Sequence, residues 1–167
     1  MKVKDIISVI EGFAPLSVQE GWDNSGLCIG SPEDEVNGVL VALDCTPELV
    51  DEAIAAGADM IVTHHPLIFS GLKKISPQTQ VGRAVIKAVK AGVSIYAAHT
   101  SADKVLAGVS GDMARKLGLE DVEILQKDGE DVGLGVVGNL QEPLSSEDVI
   151  RLVKERFGLK VAKVSRP

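Results

Sequence analysis

DMIVTHHP, residues Asp59–Pro66, is the stretch that decides the fold. Its first half is apolar along its length, the pattern of a strand covered on both faces rather than one half exposed to water. Two adjacent histidines and a proline follow. In a continuing strand His64 and His65 would point to opposite faces of the sheet. Pro66 has no amide donor and biases His65 toward an extended or turn conformation, so the strand is expected to end there and both imidazoles can reach one crevice. The carboxyl ends of strands are where open α/β sheets collect their ligands.

The pattern repeats on either side. VNGVLVALD (Val36–Asp44) reads as a buried strand, after which Thr46 and Pro47 supply an N-cap and a proline at the first helical position. TQVGRAVIKAVKAG reads as a helix from about Thr79, VSIYAAHT as a strand from Val93, and Val109–Leu117 as a further helix. Upstream, Val3, Ile6, Ile7 and Ile10 recur at helical spacing in an opening helix that ends near Pro15, and QEGWDNSGLCIG follows as a loop. Downstream, GLGVVGNL reads as a strand, SSEDVIRLVKERFG as a helix opened by a cap from Ser145 to Asp148, and LKVAKVS as a closing strand. Strands alternating with helices give the α/β class: a mainly parallel sheet with helices on both faces. The 167 residues fit a single α/β domain, 1–167.

Composition narrows the function. The net charge is −7, and Lys and Arg are spread along the chain, so the basic patch that drives nucleic-acid binding is missing. The five aromatic residues, Phe13, Trp22, Phe69, Tyr96 and Phe157, are too scattered for a base-stacking platform of the kind that tracks single strands. The two cysteines, Cys28 and Cys45, lack a C-x-x-C spacing and read as reduced thiols. MKVKDIISVIEGF has no small-residue cleavage site and no later run is long enough to span a bilayer, so a cytoplasmic protein without a membrane partner is expected.

The third histidine, His99, ends the strand after the THHP strand, and Asp103 follows it in a loop at the same expected rim. All histidines of the chain therefore fall at strand ends. Imidazole with carboxylate is a donor mix that suits zinc, iron or manganese. Asp44 ends the first strand too, but the Thr-Pro-Glu after it points to a role at the helix start. Trp22 reads as a loop anchor or, with Asn24, as a substrate-facing residue. GVSG at Gly108–Gly111 precedes a helix but matches no phosphate-binding fingerprint.

With WDNSGLCIG at Trp22, VALDCTPELVDEA at Val41, VTHHPLIF at Val62, AHTSAD at Ala98 and GVSGDMARKLGL at Gly108, the chain resembles the NGG-one-interacting-factor-three-like family almost end to end. Its members are also called GTP cyclohydrolase 1 type 2 homologues or dinuclear metal-centre proteins. The resemblance implies two divalent metal ions held by His64, His65 and Asp103, with His99 as a supporting or substrate-facing residue beside Trp22 and Asn24. It implies a homohexamer with the sites on an inner cavity. Where the family has HTNLD, this chain has Ser101 and Ala102 at the middle positions. The family's further His and Glu ligands, from a C-terminal segment, have no match here, which leads us to expect an N-terminal portion with an incomplete site, the alternative being a reduced site completed by water, substrate or another subunit. Two functions stand open at this point: a metal-dependent hydrolase acting on a small molecule, and a non-enzymatic metal-binding scaffold or regulatory partner.

Overall fold

The structure is a computed structural model that describes residues 1–165, and it divides into two compact units, Met1–Ala102 and the residues from Asp103 onward.

The first unit is built on a four-stranded sheet: β1 (Gly26–Ile29), β2 (Val39–Ala42), β3 (Met60–Thr63) and β4 (Ser94–Ala97), in the order β1-β4-β3-β2. β2 pairs with β3 and β3 with β4 in parallel, while β1 runs antiparallel to β4. Successive side chains leave opposite faces of these strands, so the sheet has two cores. On one face Ile61 and Ile95 are covered by Val50 and Ala53 of α2 (Pro47–Ala56) and by Ala84, Val85 and Ala88 of α3 (Gln80–Ala91). On the other, Met60 and Tyr96 meet Val3 of α1 (Val3–Phe13), with Ile6, Ile7 and Ile10 packed around them. The mainly parallel sheet with helices on both faces is thus present, and the helical spacing of the apolar residues in α1 is what lays one side of that helix on the sheet.

The helix boundaries follow their chemistry. Thr46 Oγ1 accepts from the Leu49 amide at 3.2 Å and Thr79 Oγ1 from the Gly82 amide at 3.0 Å, each satisfying an amide that the helix itself cannot. α2 and α3 then stop at Gly57 and Gly92, whose left-handed backbones close the last turn.

Two expectations change in this unit. The run Val36–Asp44 is no buried strand: β2 lies at the sheet edge, and Val41 is 75 % exposed. An apolar β-branched run looks the same for a central strand and for an edge strand covered on one face only. Nor is GLCI part of a loop. It forms β1, which ends at Gly30, where φ is +102° and a Cβ would stand 2.1 Å from Ser94 Oγ, so only glycine fits.

The second unit pairs β5 (Glu120–Lys127) with β6 (Gly133–Asn139) as an antiparallel ribbon, with α5 (Val109–Leu117) against β6 and α6 (Ser146–Arg156) against α5. Ser145 Oγ accepts from the Asp148 amide at 3.2 Å, the expected cap. LKVAKVS, expected as a strand, has no partner strand among the described residues, and Val161 and Val164 are exposed; without a neighbour to take its hydrogen bonds an extended segment is not a strand. No helix among the described residues is long and apolar enough to cross a membrane.

Candidate metal centre

β3 does not simply stop at Thr63. The amides of His64 and His65 both donate toward β2, to the carbonyls of Ala42 at 3.3 Å and Leu43 at 3.0 Å. Consecutive amides of a regular strand point to opposite sides, so two in succession toward one neighbour mark a bend. Thr63 Oγ1 fixes it by donating to the carbonyl of His65 at 2.8 Å. The two imidazoles therefore come together, with ring centres 4.9 Å apart. β4 delivers the third ring: His99 lies 5.1 Å from His64 and 5.6 Å from His65. One nitrogen from each of the three falls within 4.8 Å of the others, a group that can hold a metal ion.

Each ring is held by its other side. His64 Nδ1 lies 3.2 Å from the Ala98 carbonyl, His65 Nδ1 lies 2.7 Å from Asp44 Oδ1, and His99 Nδ1 lies 2.8 Å from Asp23 Oδ1. A carbonyl or carboxylate oxygen only accepts, so Nδ1 is the donor in every case and the lone pair of each neutral ring sits on Nε2. Three rings with one tautomer, each oriented by an oxygen, is the arrangement that metal-ligating histidines use.

Asp23 is the centre of the support. Its side chain is fully buried and accepts from the Thr100 amide at 3.0 Å, from Ser25 Oγ at 2.8 Å and from the Asn24 amide at 2.7 Å, besides Thr100 Oγ1 and His99. Burial pushes its carboxyl toward the neutral form, but the hydrogen bonds from Thr100, His99 and Ser25 together outweigh it and hold the group well below the usual carboxylate range. It is an anion throughout the physiological range.

The sequence reading placed Asp44 at the helix start. Thr46 performs that capping alone, and the Asp44 carboxylate orients His65 instead. An open cavity of about 390 Å³ adjoins this pair, lined also by Cys45, Pro66 and Leu67. Burial raises the thiol of Cys28 to about 11 and that of Cys45 to about 12, so both are protonated at neutral pH. Trp22 is exposed and meets the ring of His99 edge-on at 6.3 Å, while Asn24 Nδ2 donates to the Ile68 carbonyl at 2.6 Å. Asp103, half-buried, ends the short helix α4 (Thr100–Asp103) and opens the second unit.

Against known proteins, the profile of the Duf34/NIF3 (NGG1p interacting factor 3) family matches residues 1–167. The chain is 38 % identical over 160 residues to a GTP cyclohydrolase 1 type 2 homolog of Clostridium acetobutylicum, covering 94 % of this chain and 60 % of that protein. A protein of the same description from Clostridium perfringens is 38 % identical over 162 residues, with 96 % and 62 % covered. Among solved structures, Staphylococcus aureus protein SA1388 superposes with a TM-score of 0.87 at 28 % identity, covering 96 % of this chain and 66 % of that one. Reduced HcgD from Methanocaldococcus jannaschii gives 0.81 at 29 % identity, covering 93 % and 60 %. The chain thus spans about three fifths of the length of these two curated relatives.

Proposed function

The chain belongs to the Duf34/NIF3 family, and on that premise we propose that it is the metal-binding portion of a cytoplasmic two-metal hydrolase-like protein. His64, His65 and His99 are its imidazole donors. The observation that carries the reading is that each of the three grouped rings has an oxygen at its Nδ1. A pair of divalent cations, when bound, polarises a substrate and makes a nucleophile of coordinated water at neutral pH. The chain's own residues do the rest: Asp44 and Asp23 fix two of the rings, and the bend after Thr63 brings His64 and His65 to one side.

Three imidazoles do not fill two coordination shells, each of which takes four or more donors. The remaining positions fall to water, to substrate, or to residues of the longer proteins this chain matches only in part. The relatives' description supports a nucleotide among the substrates to be tried, and the family resemblance supports a homohexamer as the assembled form.

Metal content decides the reading. After mild purification and reconstitution with zinc, iron(II) or manganese(II), elemental analysis is expected to find about one or more equivalents of at least one of them per chain. Less than roughly 0.2 equivalents of every metal would remove the centre, because even a partial site regains some cation. Turnover on nucleotides and phosphoesters, with chelated protein as control, then separates a hydrolase from a scaffold.

A further inference from the structure

The metal reading leaves two rings beside the histidines unused. Only five residues of the chain are aromatic, yet Trp22 and Phe69 stand together on the surface, 61 % and 51 % exposed, with ring centres 6.1 Å apart at 52°. Both meet the ring of His99, Trp22 at 6.3 Å and Phe69 at 6.4 Å, the latter at 87°. The backbone beneath them is pinned. Asn24 Nδ2 donates to the Ile68 carbonyl, joining the Trp22 loop to the Phe69 loop at 2.6 Å, and the Asn24 amide donates to the buried Asp23 carboxylate. A ligand that uses these rings finds them already in place, so little ordering is lost on binding.

We propose that Trp22 and Phe69 form a ring-binding wall of the histidine site. The ligand is a small molecule with a nucleobase-sized planar ring, which lies on this pair, and an anionic oxygen group, which is directed at His64, His65 and His99. The second half rests on the metal reading given above. A third ring does not enter between the two, since a sandwich needs about 7 Å, twice a van der Waals contact of about 3.5 Å. It lies on the exposed face of one and against the edge of the other, the offset and edge-on arrangements that aromatic quadrupoles prefer. The net charge of −7, without a basic patch, favours a single nucleotide-sized molecule over a polynucleotide. Stacking accepts any base, because every base has a π-face.

Trp22 is the only tryptophan, so its emission reports directly on the wall. The whole chain, reconstituted with zinc and assayed for metal, is titrated with adenosine 5′-monophosphate, uridine 5′-monophosphate and ribose 5-phosphate, by fluorescence and by calorimetry. All three carry the same phosphate; only the first two carry a ring. At least one of the two nucleotides is expected to quench Trp22 saturably and to bind about tenfold or more tighter than ribose 5-phosphate. Phe69→Ala, and Phe69→Leu, which keeps bulk without a π-face, should each shrink that preference to about twofold while metal per chain is unchanged. Ribose 5-phosphate binding as tightly as both nucleotides, or a full preference surviving both substitutions, overturns the wall. With metal bound in the same samples, that result leaves the metal centre standing. A ring preference that persists where no sample holds metal supports the wall and rejects the metal reading instead.

Discussion

Replacing His65 with alanine is expected to take bound metal below roughly 0.2 equivalents per chain while leaving far-ultraviolet circular dichroism and the urea midpoint close to those of the parent chain. The ring is a rim group, its side chain 46 % exposed, and it fills no core position. Exposed substitutions of this kind move stability by about 0.5 kcal/mol or less. As a proposed ligand it is another matter, since its loss would remove one of the three grouped imidazoles. Asp44→Ala should fall between the two: the ring stays but loses its anchor at Nδ1, and affinity drops about 10–100-fold. The pair of variants separates a ligand from its support. If His65→Ala unfolds the chain while surviving protein keeps its metal, the histidine is structural and the assignment is wrong.

Asp23→Ala should do the reverse and strike stability first. The carboxylate is fully buried, and its removal strands the Thr100 amide, the Thr100 and Ser25 hydroxyls and His99 Nδ1 without their acceptor. Leaving buried donors unmet around a lost charge costs about 3–5 kcal/mol, enough to bring a domain of ordinary stability near its threshold. Asp23→Asn keeps the shape and one acceptor oxygen, so an intermediate loss is expected. Urea titrations of both variants read the effect, and a change under about 1 kcal/mol for the alanine variant would mean that the network is not what holds this loop.

Much of this was legible from residue order. The strand that ends just before His64, the caps at Thr46, Thr79 and Ser145, and the α1 face each follow from a local rule that the structure obeys. Two of the misses share one cause, the direction and neighbours of a strand. Gly26 and Gly30 bracket β1 so closely that it reads as a loop, and nothing in GLCI says that it runs against β4. Yet that reversed direction is what brings the residues just before β1 to the end of β4, where Asp23 meets His99. Had β1 been parallel, its leading residues would lie at the opposite edge of the sheet. The Asp44 role was hidden in the same way, because its partner His65 lies across the β2–β3 pairing.

The pairing of Thr63 with Ala97 sets how far β3 and β4 have slid past one another, and it also sets the histidines. The Ala98 amide donates to the Thr63 carbonyl at 2.9 Å, and the Ala98 carbonyl holds His64. A slip of one residue would turn every side chain of a strand to the other face. The three nitrogens can converge only after the chain has made the whole α3 crossover and aligned the strands, a non-local closure that is costly and comes late in folding. An ion therefore has no complete site in the unfolded or half-made chain. An ion bound as proposed would contribute on the native side of the barrier, slowing opening of the sheet without speeding the search for the alignment.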